Sequence, residues 1–71
     1  MVKPEVGKQY RLVRDYEVHD PNTGTLKHFL RKGEVVTVKK IEEDMDRIYV
    51  EGVPMLIPLD AFVIHIRPVG E

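Results

Sequence analysis

The sequence predicts an all-β domain, and three observations carry that prediction. Of the 71 residues, 11 are Val, 5 Ile and 3 Thr, against 5 Leu and 1 Ala. Branching at Cβ restricts χ1 and suits a pleated surface, whereas a helical chain favours Ala and Leu. Apolar residues recur on alternate positions in several short runs, the period of a half-buried strand. Gly, Pro and Asn clusters separate those runs at close intervals, as in a small barrel or sandwich.

The elements follow in order. Residues 1–8 hold Pro4 and Gly7 and read as a lead-in. Tyr10, Leu12, Tyr16 and Val18 alternate, broken only by Arg14, and predict a strand over 9–19. Asp20-Pro21-Asn22-Thr23-Gly24 combines three turn formers and predicts a hairpin tip, with Leu26–Leu30 as the returning arm. Lys32-Gly33 is a second turn, feeding the strand Val35–Ile41. Glu42, Glu43, Asp44 and Asp46 would repel one another within a strand, so they form a solvated tip.

Arg47–Val50 is the next strand. Glu51-Gly52 suits a tight turn, and Val53–Ile57 pairs back, with Pro54 confined to an edge. Pro58–Phe62 reads as one short 3-10 turn with proline at its start, and Val63–Arg67 as the last strand. Residues 68–71 are a tail. Val36, Val38, Ile41, Val50, Ile57, Val63 and Ile66 are the expected core. The unpaired edge at Val53–Ile57 allows a monomer or a weak homodimer.

A chain of 8.2 kDa makes one thin-cored domain and excludes a large multi-layer enzyme. It has no Cys, so neither a disulfide nor a thiolate metal site reinforces it. Residues 1–5 lack the apolar run of a signal peptide, and no apolar stretch approaches the ~20 residues of a membrane span. The cytoplasm is the expected compartment, with no membrane partner. The formal charge is −1, but residues 1–40 carry 9 basic and 5 acidic groups (+4) and residues 41–71 carry 2 and 7 (−5). Either the first half forms an electropositive face, or strands of the two halves interleave and the charges mix.

Three segments, in order, resemble the Src-homology-3 (SH3-like) family. Leu12-Val13-Arg14-Asp15-Tyr16 resembles its ALYDY segment. Arg31-Lys32-Gly33-Glu34-Val35-Val36 resembles its diverging turn and following strand. Leu56–Val63 resembles its later Pro/Tyr segment, with one extra residue. The resemblance covers about residues 9–67 and implies a five-stranded, strongly bent barrel. It also implies a groove for proline-rich peptides. In that groove Tyr16, Pro58 and Phe62 match wall positions, and Arg14 replaces the first tyrosine. The chain has no Trp, so the flat indole face and N–H donor of such grooves are missing.

The expected function is therefore a non-catalytic module that binds a protein or peptide partner. Its wall lies between the long hairpin and the acidic tip, at Arg14, Tyr16, Tyr49, Pro58 and Phe62. The alternative is nucleic-acid binding through Lys8, Arg11, Lys27, Arg31, Lys32, Lys39 and Lys40, with Tyr10, Tyr16 and Phe29 for stacking. The pI of about 6.3 weighs against it.

No enzyme constellation is present. Ser and Cys are absent, so no Ser-His-Asp or Cys-His site forms. The tip acids lack the loop length and glycine of a calcium site, and no phosphate-cradling glycine loop occurs. No cofactor is expected. His19 and His28 flank the hairpin tip and would face each other in one register but lie on opposite faces in the next. His65, between Ile64 and Ile66, is expected to point outward.

Overall fold

A computed structural model describes residues 3–70. Among the described residues seven strands form: β1 (Gln9–Leu12), β2 (Tyr16–His19), β3 (Leu26–Leu30), β4 (Val35–Glu42), β5 (Arg47–Val50), β6 (Ile57–Pro58) and β7 (Ile66–Pro68). One helix, α1 (Leu59–Val63), precedes β7, and a 3-10 turn spans Glu43–Met45. The class is all-β. The strands make a five-stranded sheet in the order β6-β5-β4-β1-β7 and a separate β2-β3 hairpin, so the expected five strands become seven in two sheets.

Each departure from the expected boundaries has a local cause. The strand expected over 9–19 breaks at 13–15, where Val13 N–H donates to the His65 carbonyl. Asp15 accepts from the Lys32 backbone at 2.7 Å. These bonds turn the chain from the large sheet to the hairpin, and Arg14 sits exposed at the crossing. The strand expected over Val53–Ile57 shrinks to Ile57–Pro58, because Pro54 supplies no ladder donor. The turn over Pro58–Phe62 is α-helical rather than 3-10, with Pro58 just before it, and the 3-10 turn lies in the acidic tip instead. Val63 ends that helix, so the last strand starts at Ile66.

The core consists of one side-chain cluster. Leu12, Val18, Val38, Ile48, Val50, Ile57, Phe62 and Ile66 are all essentially inaccessible. Of the expected core, only Ile41 is partly exposed. In β4 the inward positions run Val36, Val38, Ile41, a spacing that breaks the period of two. The cause is a bulge: Val38 pairs with Val50, but Lys40 pairs with Tyr49, so one extra residue, Lys39, reverses the parity of the strand. At the tight turn after β5, Gly52 has φ +83, a conformation costly for any side chain.

The β2-β3 hairpin also carries an irregularity, between Val18 and His19. His28 pairs with Val18, while His19 lies on the opposite face with Glu17. The two imidazoles therefore do not meet. Among the described residues no group of three or more His, Cys, Asp or Glu is placed to hold a metal. His19 Nε2 lies 2.9 Å from Glu17 Oε1, and its Nδ1 lies 3.0 Å from the Gly24 carbonyl.

Both neighbours of the ring are acceptors, so they favour the doubly protonated form. The Glu17 bond first, and the Gly24 bond next, raise the His19 pKa above the usual 6.5. Stability linked to this proton is complete below the ordinary value and is lost as pH rises through the raised one. Glu17→Ala is expected to move the His19 NMR titration midpoint down towards 6.5. A midpoint that does not move would show that the bond does not form in solution.

Candidate functional site

Asp46 organises a concave surface beside the helix. It is the only non-glycine residue with positive φ among the described residues, at 53°. Asp is one of the few types that tolerates this region. The strain is matched by two bonds to the start of α1. The Asp46 carbonyl accepts from Leu59 N–H at 3.0 Å, and its Oδ1 accepts from Asp60 N–H at 2.9 Å. The acidic tip is thereby tied to the helix. Beside them opens a groove of about 350 Å³, lined by the apolar Ile41, Leu59 and Val63, by the acidic Glu43 and Asp60, and by Lys3 and Pro4. That volume lies at the low end of ligand-sized clefts.

The five residues expected to form a peptide wall divide into three settings. Tyr16 is half-buried and meets Phe62 edge-on, with ring centroids 5.3 Å apart. Burial pushes the Tyr16 phenol above its ordinary range. Phe62 itself is 0% exposed and offers no surface to a ligand, which corrects its assignment to the wall. Its ring fills the core because α1 presents Phe62 and Val63 inward. Tyr49 belongs to a second group on β4-β5. Its hydroxyl donates to Glu42 Oε1 at 3.0 Å, and Lys40 Nζ lies 5.7 Å from its ring centroid. Pro58 is exposed opposite Arg47, and Arg14 is exposed at the strand crossing.

Glu42 is also a charge hub, 3.3 Å from Lys40 and 3.9 Å from Arg47. The Tyr49 bond foremost, then the Lys40 bond and the charges of Lys40 and Arg47, hold its carboxyl below the usual range, against the opposing effect of partial burial. Here the two charge-biased halves of the chain interleave: Arg47, from the acidic half, shares a carboxylate with Lys40, from the basic half.

The basic residues considered for nucleic acid do not all gather. Lys27 sits on the small hairpin and Arg31 lies over the Phe29 ring, 5.5 Å from its centroid. Lys32 occupies the turn after β3, and Lys8 precedes β1. Arg11, Lys39 and Lys40 belong to the large sheet. Tyr10 is 3% exposed and its hydroxyl accepts from Glu5 N–H, so it cannot stack on a base.

His65 departs most from its expected setting. It lies in the turn between α1 and β7 and packs edge-on against Tyr16, with centroids 5.0 Å apart. Its Nδ1 is buried without a hydrogen-bond partner among the described residues. The Ile-His-Ile alternation suggested an outward strand position, but the helix runs further than that pattern implies. The groove residues Ile41 and Leu59 carried no sequence signal beyond apolarity, and the Asp46 link depends on a backbone conformation that no local pattern announces.

Fold and site together define an all-β domain with a groove lined by apolar side chains and by Glu43, Asp60 and Lys3. The chain matches no protein-family model, no curated protein and no solved structure. Among the described residues no helix is long and apolar enough to cross a membrane.

Proposed function

We propose that the chain is a non-catalytic interaction module, an SH3-like barrel formed by the large sheet and the hairpin around one core, that binds a peptide segment of a protein partner. The β1–hairpin–β4–β5–β6–α1–β7 order supports the barrel, because it carries the three matching segments in the family's sequence. The observation that carries the binding role is the groove between the acidic tip and α1. Its apolar walls take an aliphatic side chain, and Glu43 and Asp60 favour a neighbouring Lys or Arg. The binding surface thus lies beside Pro58, on the helix, and is not built from the Tyr16–Phe62 pair.

Blocked peptides with Leu flanked by Lys, titrated into ¹⁵N-labelled protein, test this. Amide shifts are expected at Ile41, Glu43, Leu59 and Asp60. Weaker binding is expected for the double variant Glu43→Gln/Asp60→Asn and for peptides with Glu in place of Lys. Shifts confined to other faces, or none at millimolar peptide, would remove the groove from consideration.

A further inference from the structure

The outward face of the large sheet carries a like-charged pair that no ion pair neutralises among the described residues. Arg11 on β1 pairs directly with Arg67 on β7. Along these strands Val13 N–H bonds to the His65 carbonyl and Val69 N–H to the Gln9 carbonyl. Hydrogen-bonded and non-bonded pairs alternate, so Arg11 and Arg67 form a bonded pair with Cα atoms about 5.5 Å apart. Both residues are exposed, and like charges directly opposite each other destabilise a sheet. Neither side chain is in an ion pair among the described residues. The Arg11 guanidinium donates to the Gly33 carbonyl at 3.2 Å, and that of Arg67 to the Ile66 carbonyl at 2.7 Å. Glu34, just before β4, turns its Oε1 to the Arg31 backbone N–H at 3.0 Å.

The surroundings extend this charge. On its other side Arg11 pairs with Val35, which is 43% exposed. Further along β4, the bulge leaves both Lys39 and Lys40 exposed, with Tyr49 on the adjoining strand. Glu42 is already shared by Lys40 and Arg47. Neighbouring strands lie about 4.8 Å apart. Lys39 follows Val35 by four residues on β4, so about 13 Å along the strand separates the lysines from the arginine pair, and cations at two such places on one face match a polymer with repeated negative charge.

We propose that this face binds the phosphodiester backbone of single-stranded nucleic acid, with Arg11 and Arg67 together gripping one phosphate. Lys39 and Lys40 engage a phosphate further along the strand, and Tyr49 offers the adjoining aromatic surface. This site is separate from the peptide groove and does not depend on it. Arg67 belongs to the acidic half of the chain, so the pairing is set by topology and not by the regional charge bias.

Fluorescein-labelled dT15 and rU15 are the probes, read by anisotropy at increasing salt. The expected Kd is on the order of 10 μM at ~50 mM salt, weakening steeply as salt rises. The double variant Arg11→Gln/Arg67→Gln is expected to bind at least tenfold more weakly. The slope of log K against log salt should fall by about 0.7, the value for one phosphate contact on a single strand. Its thermal midpoint should hold or rise, because the like-charge contact is gone, so lost binding would not reflect unfolding. Lys27→Gln, on the separate hairpin, should leave affinity within twofold. Absence of binding, equal weakening by Lys27→Gln, or a double variant with unchanged slope would each overturn the proposal. So would binding of a phosphopeptide without binding of either oligonucleotide.

Discussion

Phe62→Ala is expected to cost about 3–5 kcal/mol of folding stability, the range for emptying a fully buried phenylalanine site. A chain of this length has about 4–11 kcal/mol in total. The variant should therefore show a urea midpoint reduced by about a quarter or more, or no cooperative transition at all. Phe62 is 0% exposed, and its ring supports Tyr16 from beneath, so the cavity would loosen both the core and the strand crossing. Phe62→Leu keeps most of the volume and should cost only about 1 kcal/mol. It also separates two roles for this position. A core residue replaced by Leu leaves peptide affinity nearly unchanged, whereas a wall residue replaced by Leu loses ring contacts and affinity together. A loss below about 1 kcal/mol for the alanine variant would contradict the burial on which this distinction rests.

Much of the fold was legible because the inward positions obey a simple parity wherever the strands are regular. Tyr10 and Leu12, and then Tyr16 and Val18, fall on even numbers, and the exception at Arg14 marks the crossing between sheets. The turn at Gly52 was visible for a physical reason, since its positive φ suits only glycine well. What remained hidden was register. A bulge adds one residue without a compositional signature, so Lys39 looks like any exposed lysine, and the irregularity at Val18/His19 looks like ordinary hairpin sequence. The same limit separated His19 from His28, because their facing depends on a one-residue choice.

The candidate site was less legible than the fold. The family resemblance placed Phe62 on a wall, but its burial depends on how α1 sits over the sheet, which no segment of sequence encodes by itself. The groove is formed by residues distant in the chain: Ile41 on β4, Glu43 on the tip, and Leu59 and Val63 on the helix. They meet because Asp46 adopts a left-handed conformation and bonds to the helix start. Likewise, the regional charges of +4 and −5 pointed to the first half as the basic surface. Strand order instead brings Arg67 beside Arg11 and Arg47 beside Glu42.

Deletion of Lys39 is expected to leave the domain folded with the facing of β4 intact. Lys39 is the extra residue between Val38, which pairs with Val50, and Lys40, which pairs with Tyr49. Without it Val36, Val38 and Ile41 fall on alternate positions of a regular strand, so all three stay inward and Lys40 stays outward. What the deletion removes is the bend and added twist that a bulge gives its strand. The variant should therefore keep a cooperative urea transition, with a loss of no more than about 3 kcal/mol. Lys39→Ala retains the extra residue and should stay within about 0.5 kcal/mol of the parent, as surface substitutions do. Circular dichroism and urea denaturation of the pair decide the matter. A deletion variant that fails to fold would show that the bend at the bulge, and not only the facing of β4, is required for the sheet to pack over its core.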